Sequence, residues 1–375
     1  MIYLDNSATT RQHDRVTEIM VKYMKEDFGN PSSLYSLGVT AEKAVKEARK
    51  KLMRAMDLKQ GNLYFTSCGT EADSMALLGA AQARRRRGNR IITSQVEHPA
   101  VLEACKRLED QGFEVIYVGV DKNCRLNMDQ LAAAINEETI LISIMQVNNE
   151  TGAVMPVDEV GDIKKNALLH TDAVQALGKL PLPRKADMIS VSGHKIHGPK
   201  GIGALWIDKG VNIPAFLVGG GQESGMRSGT ENVPAIAGFG EAAELSASES
   251  AGADSVRKVR DYLLAGIRDE IRDIRVNSPE DGCPSVLNIS FLGTRAEVLL
   301  HTLEQDEIYV STGSACSSNK KGQSHVLTAM GLSDKEIEGA IRFSFSRYNR
   351  IEEMDLVLEK VKAAVARFRK LGSFR

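Results

Sequence analysis

Between Asn62 and Asp208, short β-branched and apolar runs alternate with stretches whose apolar residues recur at helical spacing. The runs are NLYFTS, RIITSQ, EVIYVGV, TILISIMQV, LLHTDA, DMISVS and GALWID; helices are predicted from Glu71 to Arg87, from Pro99 to Gln111, near Met128 to Ile135 and in VDEVGDIKKN. Strands and helices in alternation imply parallel βαβ units, and so an open α/β sheet with helices on both faces. Upstream, Val16, Ile19, Met20, Tyr23 and Met24 mark one amphipathic helix and Ala41, Ala44, Val45, Ala48 and Leu52 another, with the turn FGNPSS between them. Downstream, Asn232 to about Ile271 is predicted helical, broken within LSASESAGADS, where a boundary is expected. SVLNISFL, EIYVSTGSAC and AIRFSFS, with helices between them, predict a smaller α+β unit. The expected partition is a large α/β domain over residues 15–250 and a small α+β domain built from 1–14 and 251–375.

Composition narrows the classes. The chain has 375 residues with 48 Lys+Arg against 49 Asp+Glu, so no general charge argument favours nucleic acid or an anionic membrane as partner. The longest apolar run, TILISIMQV, is strand-sized and far short of the roughly 20 residues that span a bilayer. MIYLDNSATT lacks the basic and apolar regions of a secretory signal. Five cysteines, odd in number and widely spaced with no CxxC, favour free thiols in a reducing cytoplasm and no metal site. The basic cluster Arg84 to Arg87 falls at the predicted C-terminal end of a helix, where cations oppose the dipole, and reads as a solvated helix end.

Ligands of open α/β sheets bind outside the carboxyl ends of the strands, so the residues that follow each run matter most. They are polar: Cys68-Gly69-Thr70 opening a helix, Glu97-His98, Asn148-Asn149-Glu150, Asp172 with Gln175, and Gly193-His194-Lys195. Gly69-Thr70 at a helix start suits a phosphate, although a simple N-cap explains it equally. Asp172 suits a cationic ring nitrogen or a cap on the next helix. Lys195, in the Gly-flanked loop SGHKIHGPKG, suits a Schiff-base lysine. A phosphate cradle, an Asp about a hundred residues on and a Lys 23 residues after it together match what pyridoxal 5'-phosphate requires.

The segments YLDNSATT, FGNPSS, TSCGTEAD, EHPAV, NNETG, HTDAVQ, SGHKIHGPKG, GGGQESGMRSGTEN and GSACSS, in this order, make the chain resemble the NifS/IscS-like cysteine desulfurases (group I) of the pyridoxal-phosphate fold type I, class V aminotransferase-like superfamily. The resemblance runs from YLDNSATT to RFSFSRYN, and the Arg of IRFS 26 residues after the Cys of GSAC sets it apart from most aminotransferase relatives. It implies an aspartate aminotransferase-like fold whose large domain has a mainly parallel seven-stranded sheet, with the catalytic Cys loop carried by the small domain. It implies that Lys195 forms the Schiff base with pyridoxal 5'-phosphate, Asp172 pairs with the ring nitrogen, Gln175 bonds the ring oxygen and His98 stacks on the ring. Gly69, Thr70, Ser192 and His194 would hold the phosphate, joined by Thr230 of a neighbouring subunit, which makes a homodimer with shared active sites. Asn149 and Arg342 would bind the carboxylate of the substrate L-cysteine. Cys316, in the aperiodic Gly/Ser-rich stretch STGSACSSNKKGQS, would attack the substrate sulfur, leaving alanine and a Cys316 persulfide.

Two positions depart from the family pattern: Cys68 stands where relatives commonly have Gly, and Tyr35 replaces a frequent His. The chain stops at RKLGSFR, without the longer tail that housekeeping relatives use to dock an iron–sulfur scaffold, which leaves the expected sulfur acceptor open among an iron–sulfur scaffold, a tRNA-thiolation enzyme and the thiamine or molybdenum-cofactor pathways. Selenocysteine lyase, cystine lyase and class V aminotransferase remain alternatives on the same fold, of which only the aminotransferase does without Cys316. A non-enzymatic interaction subunit fits poorly with Lys195, Asp172, His98 and Arg342 all present.

Overall fold

Thr139–Ser143, Leu168–Asp172, Met188–Ser192 and Gly203–Ile207 bury every residue, as strands covered on both faces must. In the computed structural model, which describes residues 1–248, 252–312 and 323–372, they form the middle of a seven-stranded sheet. Its order is Asn62–Thr66, Gly203–Ile207, Met188–Ser192, Leu168–Asp172, Thr139–Ser143, Arg90–Ser94 and Glu114–Val118. Neighbours from Met188–Ser192 outward to Glu114–Val118 pair in parallel, whereas Gly203–Ile207 runs antiparallel to both its neighbours. The reversal follows from a short connection: the loop after Ser192 returns the chain within ten residues, too few for a helical crossover.

Helices cover both faces. On one, Ala72, Met75, Ala76 and Ala80 of Gly69–Arg84 and Val101, Ala104 and Leu108 of Pro99–Asp110 pack on Ile91, Leu141, Leu168, Met188 and Leu205. On the other, Ala41, Ala44, Val45, Ala48 and Leu52 of Ser36–Ala55 meet Ile236, Phe239 and Ala243 of Val233–Ser248 over Ile189, Val191 and Trp206. These two helices touch backbone to backbone: a Cβ on Gly240 would lie 2.6 Å from Ala48 Cα.

A second core forms around the antiparallel sheet Ala340–Ser344, Val286–Phe291 and Ile274–Val276, backed by Gly252–Glu270, Ala296–Gln305 and Ile351–Gly372. Ile2 and Leu4 belong to it, because Ile2–Tyr3 pairs in parallel with Ile308–Tyr309. Val326, Leu327 and Met330 instead pack on Ile92, Val118 and Ile142 of the large sheet.

Element limits shift by a turn or less from those expected. The helix expected from Glu71 begins at Gly69 and ends at Arg84, where Arg84 and Arg85 bond the carbonyls of Asn166 and Gln111 as a helix-end cluster does. TILISIMQV stays a ladder strand only to Ser143, since the Met145 amide turns aside to the buried Glu97 carboxylate. The break expected within LSASESAGADS coincides with residues outside the described part of the chain.

Candidate active site

The parallel strands deliver their polar successors to one edge of the sheet. Asn62–Thr66 leads through Cys68 into the helix that starts at Gly69; Cys68 is its N-cap and makes no side-chain capping bond. Of the two readings of Gly69-Thr70, the helix start therefore keeps its first amides available to an anion. His98 both caps Pro99–Asp110, its Nδ1 accepting from Ala100 N at 3.2 Å, and faces inward. Asp172 likewise does both: Oδ1 accepts from Val174 N at 2.9 Å, and the residue lines the same cavity.

That cavity encloses about 250 Å³. Gly69, Thr70, His98, Asn149, Asp172, Gln175, Ser192, His194, Lys195 and Arg342 all line it. Thr230 is not among these residues. It lines a separate cleft with Ser67, Gly201 and Arg227. Cys316 lies outside the described residues.

Lys195 is held by the N-terminal segment. Thr10 N donates to His194 O at 3.0 Å and His13 N to His197 O at 2.9 Å, which lays residues 7–10 along the lysine loop. The ammonium then donates to Ser7 O at 2.6 Å and Ala8 O at 2.7 Å. Gln175 Nε2 donates to the same Ser7 carbonyl, and its Oε1 accepts from Lys179 at 2.8 Å. Arg342 is fixed through both terminal nitrogens, Nη1 to Asn149 O at 2.9 Å and Nη2 to Asp5 Oδ1 at 2.8 Å, while its buried Nε finds no hydrogen-bond partner among the described residues.

Burial pushes the Asp172 carboxyl up, and the charges of His98 and Lys195 oppose it. Burial also lowers His98, and it takes His194, beside Lys195, down to about 4. A cation brought next to Asp172 would be held by an anion poorly screened by water. The cavity fits pyridoxal 5'-phosphate on its own geometry. A Cβ at Gly69 would stand 2.9 Å from Val174 Cγ2, so only glycine leaves the cradle open, and the helix start, Asp172 and Lys195 supply an anion site, a buried carboxylate and an amine around one space.

Several residues of the site escaped the sequence reading. Ser7 and Ala8 act through backbone carbonyls, which no side-chain pattern reveals. Asp73, 1% exposed, lies one helical turn beyond Gly69 and would have been found by asking why an acid follows a phosphate cradle on the buried side of a helix. Glu97, named above only as a strand-end polar residue, proves fully buried: it binds Ser94 Oγ and Met145 N, and its carbonyl accepts from His325 Nε2 at 2.9 Å.

Comparison with known proteins extends over the whole chain. The Aminotransferase class-V family model matches residues 2–357. The cysteine desulfurase IscS of Methanosarcina thermophila is 46% identical over 377 residues, covering 99% of this chain and 93% of the relative. The cysteine desulfurase of Nostoc sp. is 43% identical, covering 100% and 95%. Among solved structures, a NifS-like protein has a TM-score of 0.91 at 39% identity, covering 97% of this chain and 99% of that one. SspA, solved in complex with cysteine, has a TM-score of 0.81 at 31% identity, covering 93% and 100%.

Proposed function

The chain belongs to the class-V aminotransferase family and is a pyridoxal-phosphate-dependent cysteine desulfurase, and on that premise we propose how its residues divide the work. Gly69, Thr70, Ser192 and His194 would hold the phosphate of pyridoxal 5'-phosphate, and Asp172, Gln175 and His98 would hold its ring. Lys195 would hold it, and when bound the group would supply an electron sink for the substrate's α-carbon.

Arg342 and Asn149 orient the carboxylate of L-cysteine, a task that suits the planar guanidinium fork. Lys195 Nζ takes the α-proton; its two carbonyl partners, Ser7 O and Ala8 O, hold it at the cavity wall. His98, kept neutral by burial, is free to accept the proton of the substrate thiol. The Cys316 thiolate attacks the substrate sulfur: the S–S bond forms, the C–S bond breaks, the carbon keeps the electron pair and is protonated to alanine, and Cys316 holds the persulfide. The observation that carries this reading is the meeting of Lys195, Asp172, His98 and Arg342 around one cavity that opens on a helix start.

We propose further that the enzyme is a homodimer in which Thr230 completes the partner's phosphate site. Its place in a cleft apart from its own cavity supports this, as do the apolar side chains of Leu34 and Phe28, 97% and 67% exposed. Residues 15–250 serve as the cofactor domain, with 1–14 and 251–375 as the domain bearing Cys316. The persulfide passes to a sulfur-acceptor protein, an iron–sulfur scaffold or a tRNA-thiolation enzyme, in the cytoplasm. No helix among the described residues is long and apolar enough to cross a membrane, and Cys68, Cys105, Cys124 and Cys283 are free thiols.

The test incubates wild type and Cys316→Ala with L-cysteine and a reductant and measures sulfide and alanine together. Equal yields from the wild type, with sulfide lost in the variant while the visible absorbance of the bound cofactor persists, are expected. Product formation untouched by the substitution would refute the role of Cys316. For the dimer, mixing Lys195→Ala with Thr230→Ala subunits should recover activity that neither has alone, and no recovery would refute shared sites.

A further inference from the structure

Asp73 follows Gly69 by four residues, so its side chain projects from the same face of the helix, toward the sheet. His170 and Asp172 alternate onto that same face of their strand, and Ser190 stands beside Asp172 in register on the next strand. Asp73, His170 and Asp172 are 1%, 0% and 7% exposed, and Asp73 and Asp172 both line the cofactor cavity. Two buried carboxylates thus border one cavity.

The surroundings of Asp73 offer it no positive charge. His170 Nε2 lies 3.6 Å from Asp73 Oδ1, yet its Nδ1 and Nε2 are each 2.9 Å from a hydroxyl, those of Ser143 and Ser190, and burial drives the ring down to about 3. The ring is therefore neutral near pH 7. Among the described residues no hydrogen bond reaches Asp73 Oδ1; the Ser190 hydroxyl beside it, which favours the charged form, is engaged by His170 Nε2. The ionisable groups that act on Asp73 are Asp172, Glu97 and Cys68, each of which repels a second negative charge; burial and then Asp172 push its carboxyl far above the usual range. Asp172 is the better-placed anion of the two, because the Val174 amide and the Lys195 ammonium stabilise its charge.

We propose that Asp73 is an uncharged acid behind the cofactor and a positioning residue that leaves Asp172 as the single carboxylate charge presented to it. Asp73 packs the space behind Asp172 with a neutral polar group where an apolar one would raise the cost of Asp172's charge and a second anion would split the available proton between them. The inference rests on the reading in which Asp172 faces the ring nitrogen of pyridoxal 5'-phosphate, and it names Asp73 as the residue that keeps that contact ionic.

The test uses the full chain, freed of cofactor, as wild type, Asp73→Asn, Asp73→Leu and Asp172→Asn. Each is titrated with pyridoxal 5'-phosphate, and the visible band is followed from roughly pH 6 to pH 9. Asparagine copies the neutral acid, so Asp73→Asn should bind within about threefold of wild type with the same band and the same pH midpoint, whereas Asp73→Leu should bind about tenfold or more weakly with a displaced midpoint. A purely structural role would not give a spectral shift that asparagine rescues. An Asp73→Asn protein that loses affinity as Asp172→Asn does would overturn the proposal by showing that Asp73 works as an anion; a leucine variant identical to wild type would overturn it by showing no role. Wild type that takes up no cofactor would sink the underlying reading instead.

A second measurement holds if the leucine variant does not fold. A folded-state carboxyl raised above its unfolded value keeps a proton that the unfolded chain has released, so stability falls as pH rises above the unfolded value. Cofactor-free Asp73→Asn lacks that loss and should gain thermal stability over wild type steadily between roughly pH 5 and pH 8. Melting curves that stay parallel across the range would overturn the proposal.

Discussion

Arg342 Nη2 stands 2.8 Å from Asp5 Oδ1, which joins residues 337 positions apart in the chain beside the cavity that Arg342 lines. Asp5 occupies a donor of the guanidinium that the proposed mechanism gives to the substrate carboxylate. The pair is a built-in competitor as well as a tether.

Asp5→Asn should therefore lower the KM for L-cysteine while costing some thermal stability, since the buried Arg342 loses its counter-ion. Arg342→Lys, which keeps the charge but not the fork, should raise KM and reduce kcat/KM by about tenfold or more, the worth of a charge-assisted hydrogen bond. Steady-state kinetics on both variants checks this. A higher KM in Asp5→Asn would mean that Asp5 aims Arg342 rather than competing for it.

Gly69 opens the phosphate cradle. An alanine methyl there would stand 2.9 Å from Val174 Cγ2 and 3.6 Å from Ser192 Cβ, inside the anion site. Gly69→Ala should weaken pyridoxal 5'-phosphate binding about tenfold, near 1.4 kcal/mol, while the cofactor-free protein melts as wild type does because alanine is a good helix residue. Absorbance titration beside thermal unfolding separates the two effects. Unchanged affinity would place the phosphate elsewhere.

The contrast between what the chain discloses and what it hides has a physical basis. All seven strands of the large sheet were legible because each is an apolar run between helical periods, and Asp172 and Lys195 were legible because polar residues at strand ends interrupt those runs. Asp73 and His170 sit inside regular elements, in GTEADSM and LLHTD, where one polar residue looks like a solvent-facing position until the packing shows a second layer over it. The antiparallel course of Gly203–Ile207 and the two-residue pairing of Ile2–Tyr3 with Ile308–Tyr309 are tertiary facts, since neither strand direction nor a partner three hundred residues away is written in local periodicity.

Glu97 gives a pH signature for the fold. Its carboxyl is fully buried; burial lifts it to about 8 against the opposing bonds from Ser94 and Met145. The folded chain keeps this proton after the unfolded chain has lost it, so wild type loses stability as pH rises from the unfolded value of 4.5 toward about 8. Glu97→Gln removes the titration, so its melting temperature should match wild type near the acid end and exceed it at the alkaline end, where its stability should be greater by on the order of a few kcal/mol. Thermal unfolding at several pH values reads this directly, and a deficit in the variant at every pH would show that the ionised carboxylate is what Met145 N requires.

Ser324 and His325 fasten the chain immediately beyond the residues that carry Cys316. Ser324 Oγ donates to Glu150 Oε2, and His325 Nε2 donates to the carbonyl of Glu97, whose neighbour His98 lines the cavity. Glu150 is buried, and burial raises its carboxyl to about 7 although the Ser324 bond and Arg342 pull it down. A hydrogen bond to the ionised form matters most where that form dominates. Ser324→Ala should therefore destabilise the protein by about 1–3 kcal/mol above that value, where an unpartnered anion is left in the core, and by less below it, where Glu150 takes up a proton. Denaturant unfolding on either side of neutrality measures the difference. If Ser324 also sets the approach of Cys316, sulfide release should fall in Ser324→Ala more steeply than cofactor affinity, whereas equal losses in both would confine Ser324 to holding the fold.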